Sequence, residues 1–296
     1  MSRTTGSILS KATFPNWNSS LNEYALETNY SSYRIENCFN NDDLYLAKHI
    51  PSGNYFALRR TNLDKIDQLK FIINEIRVTK MLRHVNLLPF LASFVHQDHL
   101  YTITPLAEYG SISELSKPTG LSEAAISFVI KDVLDGLDYL HKRGIIHRAI
   151  RGSHILVTGS NGRCIISGLQ YSISVLKEGK WQNAIHSYPK NAEKNLNWLA
   201  PEVLEQNLMG YNSKSDIYSL GIVCCELANG CIPFEDLQPT EMLLDKLTGN
   251  FPRPLDSTCE EITRMPIHGN SFQFYFILFN YINYFNNSIN FINFIY

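Results

Sequence analysis

The sequence predicts an α+β chain of two lobes, a small β-rich one followed by a larger, mainly helical one. Three observations carry the prediction. Up to about residue 106 the apolar residues come mostly in short runs bounded by Pro, Gly, Ser and Asn, the pattern of strands and turns. After Gly110 they recur at helical spacing. The length of 296 residues is enough for one large domain or for two lobes with cores of their own.

Residues 1–29 lack sustained periodicity and read as a loose, Ser/Thr/Asn-rich arm without the apolar region of a secretory signal. Leu44-Tyr45-Leu46-Ala47 and Asn54-Tyr55-Phe56-Ala57-Leu58-Arg59 read as two strands joined by Pro51-Ser52-Gly53, a hairpin signal. Phe71, Ile72, Glu75, Ile76, Val78, Thr79 and Leu82 follow at helical spacing, and two more strands are expected at 87–94 and 100–104. A hinge is expected at Pro105 to Gly110. Ser122 to His141 carries the apolar stripe Ala125, Phe128, Val129, Val133, Leu137 and Leu140. Asp216 to Leu227 is apolar nearly all round and belongs inside the larger lobe. The expected folded domain covers 30–266, its small lobe ending near 106 and an incomplete larger lobe after it, with 267–296 as an atypical tail outside the fold.

A formal charge of −2 spread over a mixed surface gives no field that would seek nucleic acid or membrane. The six cysteines (Cys38, Cys164, Cys224, Cys225, Cys231, Cys259) show neither metal-ligand spacing nor a disulfide framework, so reduced and largely buried thiols are expected. Nothing before residue 270 is apolar for long enough to span a bilayer. The expectation is a soluble, cytoplasmic protein, with the nucleus as an alternative compartment.

Four landmarks then appear in order: Phe56-Ala57-Leu58-Arg59, His147-Arg148-Ala149, Ala200-Pro201-Glu202 and Ser215-Asp216-Ile217-Tyr218-Ser219-Leu220-Gly221. Each alone is weak; their order and separation resemble the protein-kinase signature set. Phosphoryl transfer rests on positioning and on neutralising the phosphates, mostly with magnesium. At the position of the glycine-rich phosphate loop, Ile35 to Asp43 contains no glycine and carries Glu36, Asp42 and Asp43. The phosphate-anchoring lysine is replaced by Arg59, whose planar fork is not a substitute for a point charge. Its usual partner is retained as Glu75. The general base is replaced by Ala149, and the lysine and metal-binding asparagine that follow by Arg151 and His154. Loss of a general base costs roughly 10²–10⁴-fold. Gly168-Leu169-Gln170 stands in place of Asp-Phe-Gly, so the main magnesium carboxylate is absent as well. A lone imidazole at His154 is a poor ligand for a hard cation, and no metal is expected. His147 and Arg148 can still organise the loop, Asp216 can accept its backbone amides, and Glu202 would pair with a later arginine. Thr104 takes the gatekeeper position, and the backbone of Pro105 and Ala107 can hold adenine. ATP binding without magnesium is therefore expected to remain open to this chain.

Tyr55-Phe56-Ala57-Leu58-Arg59-Arg60, Ala107-Glu108-Tyr109-Gly110-Ser111, the run from His147 to Leu156, Ser167-Gly168-Leu169 and Gly210 to Ser219 together resemble the STRAD adaptors, pseudokinases related to the sterile-twenty kinases. The likeness covers roughly residues 33–256. It implies a bilobal kinase-shaped adaptor that binds ATP without magnesium, docks an armadillo-type scaffold and activates a serine/threonine kinase of the polarity pathway. Two features depart from it. The chain ends Asn293-Phe294-Ile295-Tyr296 in place of a Trp-Glu-Phe tail, and the late helices of the larger lobe are missing, so that lobe reads as truncated. Residues 269–296 hold no charged side chain and consist mainly of residues with A/T-rich codons, which points to translated non-coding sequence; a membrane anchor, in which Asn280, Asn283, Asn286, Asn287, Asn290 and Asn293 would be costly, and a helix facing a partner are the alternatives. An inactive adaptor is the reading these residues favour; a weakly active kinase with an atypical site, or a nonfunctional fragment of such an adaptor, are the alternatives.

Overall fold

A computed structural model describes residues 26–248 except 27, 40–42, 160, 178, 190–191 and 206–208. The expectations for nearly all of the arm 1–29, for 249–266, for Cys259 and for the tail 267–296 lie outside the described residues. The small lobe is an antiparallel sheet of five strands, β1 (Tyr33–Phe39), β2 (Leu44–His49), β3 (Tyr55–Asn62), β4 (Ala92–His96) and β5 (His99–Pro105), in the order β1-β2-β3-β5-β4. The period of two decides its faces. Phe56 and Leu58 turn to one side with Tyr33, Ala47, Phe94, Tyr101 and Ile103, while Ala57 turns to the other with Leu46 and Leu106. Gly53 closes the β2–β3 hairpin at φ +72°, a backbone that costs glycine nothing.

One strand starts later than the sequence suggests. Pro89 has no N–H to give a ladder, so β4 begins at Ala92 and not near Leu87. Leu87 and Leu88 instead join the larger lobe, where the Leu88 amide donates to the Ile166 carbonyl at 2.8 Å. Between β3 and β4 lies α1 (Ile66–Thr79).

The larger lobe holds α2 (Ile112–Ser116), α3 (Glu123–His141), α4 (Pro201–Leu204), α5 (Lys214–Asn229) and α6 (Pro239–Leu247). Short two-stranded ladders pair β6 (Ile145–Ile146) with β9 (Ile173–Ser174), β7 (Ile155–Thr158) with β8 (Arg163–Ile166), and β10 (Leu176–Lys177) with β11 (Lys180–Trp181). Ser122 starts α3 by accepting the Ala125 amide on its hydroxyl. The buried stripe of α3 runs through Ile126, Val129, Ile130, Val133, Leu134, Leu137 and Leu140. Phe128, which the sequence places on that stripe, is 74% exposed. At 100° per residue it points away from the face that Ile126 and Ile130 share. Across from α3, helix α5 buries Leu220, Val223, Cys224 and Leu227, and both helices enter one core.

No helix among the described residues is long and apolar enough to cross a membrane. Of the five described cysteines, Cys164, Cys224 and Cys225 are buried and Cys38 and Cys231 exposed.

Leu140 is fully buried where α3 enters this core. Leu140→Ala should lower the unfolding free energy by about 2–5 kcal/mol. Urea denaturation of the variant checks this; a change below about 0.5 kcal/mol would mean that α3 does not seat here.

Candidate functional site

The loop between β6 and β7 is fixed from beneath by α5. Asp216, fully buried, accepts the amides of His147 and Arg148 on its two oxygens, each at 2.8 Å. The His141 ring contacts the same carboxylate at 2.8 Å from α3. Burial pushes the carboxyl pKa up, but the hydrogen bond and charge of His141 and the His147 amide outweigh it, and the net shift is downward. His147 spans the loop, with Nε2 on the Ser167 carbonyl at 3.0 Å and Nδ1 accepting the Ala149 amide at 3.2 Å. Burial lowers the pKa of its ring. Arg148, at φ +64°, donates to the carbonyls of Tyr171 at 2.7 Å and Ser187 at 3.4 Å and to the Tyr211 hydroxyl at 3.1 Å. Neutral acceptors thus hold this guanidinium, and through it the segment that follows Gly168.

Ala149, Arg151, His154 and Gly168 come together above that base. His154 Nδ1 donates to the Ala149 carbonyl at 2.7 Å. Its Nε2 then presents a lone pair, which takes hydrogens from Arg151 Nε at 3.3 Å and Nη2 at 3.1 Å. Burial, reinforced by the charge of Arg151, drives the His154 pKa well below the ordinary histidine value. Both nitrogens are spent, so this ring has no lone pair left for a cation. Arg151 itself reaches on to the Lys194 carbonyl at 2.9 Å and lies over the Trp198 ring.

Gly168 lies against the same ring. Its backbone is left-handed, at φ +86°, and a Cβ there would fall 2.7 Å from His154 Nδ1 and 2.8 Å from Cγ. An aspartate side chain has no room at this position while the imidazole is in place. Among the described residues no group of three or more His, Cys, Asp or Glu side chains could hold a metal ion.

Arg59 and Glu75 meet across β3 and α1, with Nη1 to Oε2 at 2.8 Å; the carboxylate is the more buried partner. Gln170, its amide nitrogen turned toward the helix, donates to both Glu75 oxygens at 3.2 Å. Asn74 Nδ2 donates to the carbonyls of Gln170 and Ser172, each at 3.1 Å. Phe71 packs on the Tyr171 ring. Helix α1 is therefore fastened to β3 by one ion pair and to the turn at Leu169–Tyr171 by the hydrogen bonds of Gln170 and Asn74. Of the acidic residues expected near a triphosphate, Glu36 is bonded to Arg34 at 2.6 Å and Asp43 to Arg60 at 3.1 Å; Asp42 lies outside the described residues.

Thr104 pairs with Ala57, and Pro105 with Phe56, at the end of β5. The Ala107 carbonyl accepts the Gly110 amide at 3.3 Å, and Tyr109 and Gly110 bond to Val157 of β7. Glu108 accepts the Thr158 hydroxyl and the Gly159 amide, which ties the hinge to the larger lobe. Glu202 is half-buried at the start of α4, and its expected arginine would come from outside the described residues. Sequence reasoning passed over Asn74, Gln170, Glu226 and Lys246. The first two carry no signal beyond being polar. Glu226 could have been found as a charge inside an otherwise apolar helix; it accepts the Gly152 amide at 3.0 Å and Trp198 Nε1 at 2.9 Å.

Residues 42–273 match the family described as protein kinase domain. The chain is 42% identical over 229 residues to STE20-related kinase adapter protein alpha of Mus musculus, covering 75% of this chain and 53% of that protein. The Homo sapiens alpha protein gives the same identity and coverage. STE20-related kinase adapter protein beta of Homo sapiens is 38% identical over 244 residues, 79% of this chain and 58% of that protein. The chain spans about half the length of the curated relatives it matches.

The contact between Gly168 and His154 can be tested by a double-mutant cycle. Gly168→Ala should cost more than the roughly 1–2 kcal/mol of a left-handed alanine. The excess should vanish in a His154→Ala background, where the ring is gone. Equal costs in the two backgrounds, measured by urea denaturation, would show that the imidazole does not fill this space.

Proposed function

We propose that this chain, which belongs to the protein kinase domain family, is a catalytically inactive adaptor that binds a serine/threonine kinase and activates it allosterically. One observation carries the reading: Gly168 stands where the family places its magnesium carboxylate, and the His154 ring fills the space a side chain there would need. Phosphoryl transfer without a protein-bound metal leaves the charge of the phosphates unneutralised. Ala149 cannot take the proton of an acceptor hydroxyl. The STE20-related relatives are named kinase adapters, which supports the same role here. By resemblance to that family the client is a kinase of the polarity pathway, and an armadillo-type scaffold is the second partner.

What the chain keeps is shape. Arg59 and Glu75 hold α1 to β3, Gln170 and Asn74 hold it against the turn at Leu169–Tyr171, and Arg148 holds the following segment on neutral acceptors. Neither set of contacts needs a metal or a phosphorylated residue. A kinase-shaped surface held in this way can be read by a partner as a fixed template. ATP suits the cleft without magnesium. Leu44, Ala57 and Leu106 cluster as an apolar lining for adenine, the backbone of Pro105 and Ala107 provides its edge contacts, and the Arg59 guanidinium offers the phosphates a charge.

Two measurements test the proposal. Purified protein with radiolabelled ATP and a generic basic substrate should transfer no phosphate. Incorporation that disappears in Arg59→Ala would establish a weakly active kinase instead. Thermal shift with ATP should be the same in chelator as in excess magnesium. A shift that appears only with magnesium would contradict the metal-free cleft.

A further inference from the structure

Two adjacent residues of α1 grip the turn at Leu169–Tyr171 in opposite senses. Asn74 gives hydrogens: its Nδ2 donates to the carbonyls of Gln170 and Ser172, each at 3.1 Å, and an amide nitrogen has no third hydrogen to give. Glu75 accepts them: both its oxygens take the Gln170 amide nitrogen at 3.2 Å, and Oε2 also takes Arg59 Nη1 at 2.8 Å. Gln170 is therefore a donor through its side chain and an acceptor through its backbone in one contact. Phe71, one turn earlier on the helix, packs on the Tyr171 ring with the centroids 5.5 Å apart.

The turn is itself anchored in the larger lobe. Leu169 is buried in the core that α3 and α5 share. Ser172 Oγ donates to the Leu169 carbonyl, and Arg148 Nε to the Tyr171 carbonyl, each at 2.7 Å. The His154 ring stacks near Tyr171, with the centroids 6.0 Å apart. The joint thus runs without a break from α1 through the turn to the central loop. The donors of Asn74 and Gln170 all find acceptors in the chain itself, with no metal ion or phosphate between them.

We propose that Asn74 and Gln170 are positioning residues, which latch α1 onto the larger lobe whether or not a nucleotide occupies the cleft. A ligand moves an equilibrium between two positions of a helix only through groups that it meets differently in the two. Here Asn74 and Glu75 are committed to the turn, and the turn is committed to the core and to Arg148. Little is left on this side of α1 for a nucleotide to change. Helix α1 therefore presents one position to a partner with the cleft filled or empty. The inference rests on the adaptor reading only for what such a fixed helix serves; the latch stands on its own contacts.

Hydrogen exchange of the full chain, read by mass spectrometry on peptides covering 66–79, tests this. Asn74→Ala together with Gln170→Ala removes the side-chain bonds and, without nucleotide, should lower protection of 66–79 about tenfold or more. Peptides from α3 should not change. Gln170→Glu sets a carboxylate against Glu75 and should release the helix likewise. The reciprocal exchange, Gln170→Glu with Glu75→Gln, again faces one amide with one carboxylate and should recover most of the loss, which a packing role would not. In the parent, saturating ATP in chelator should leave protection of 66–79 unchanged within about twofold. A larger rise with ATP, protection that survives the double alanine variant, or a reciprocal exchange that recovers nothing overturns the proposal. If ATP gives no thermal shift, the nucleotide reading of the cleft fails and the variants alone decide the latch. No partner enters the readout, so the adaptor role is judged separately.

Discussion

Asp216 accepts two backbone amides and meets one imidazole from inside a core that excludes water, and the placement of the whole central loop follows from that. A buried carboxylate left unpaired would be costly, so the loop must bring His147 and Arg148 to it in one geometry. That geometry sets Arg148 at a positive φ, turns its guanidinium to Tyr171, Ser187 and Tyr211, and leaves His154 facing Gly168. The loop is thus built from the helix side upward, and it does not need a reacting centre to hold its form.

Space and charge decide what the centre above that base can hold. A metal site needs carboxylates with room around them and lone pairs to spare. Here the room next to Gly168 is taken by an imidazole, and both nitrogens of that ring are occupied by the Ala149 carbonyl and the Arg151 guanidinium. Arg151 continues to Lys194 and Trp198 and connects the loop to the stretch before α4. Ala149, Arg151, His154 and Gly168 thus belong to one connected network.

The two lobes are coupled by similar means. Glu75 would be a half-buried charge without Arg59, and it is shared with Gln170, so α1 is tied both to the sheet and to the turn after Gly168. Glu108 does the same at the hinge, where one carboxylate links Thr158 and Gly159 to the segment between the lobes. A proposed adaptor gains from such links because its partner must meet one surface and not an ensemble, and ordering that surface beforehand reduces the entropy lost on binding.

Much of this was readable in the sequence. The run from β2 through β3, α1 and β4 to β5, the buried stripes of β3 and α5 and the identities at Arg59, Glu75, Ala149 and Gly168 depend on local periodicity and on residue type, which a sequence states directly, whereas β1 (Tyr33–Phe39) was not predicted as a strand. The phase of α3 was less legible, since Phe128 and Ile126 are equally apolar and only the packing of the lobe selects which one is buried. Pro89 could have warned that β4 starts late. Other features had no local signal at all. That His154 occupies the room an aspartate would need at Gly168, that Asn74 reaches Gln170 and Ser172, and that Lys246 meets three carbonyls nearly fifty residues earlier are facts of approach between distant segments. Residue type determined which groups stand at Ala149, His154 and Gly168; tertiary structure decided what surrounds them, because burial and distance set a side chain's partners and neither is written in the order of residues.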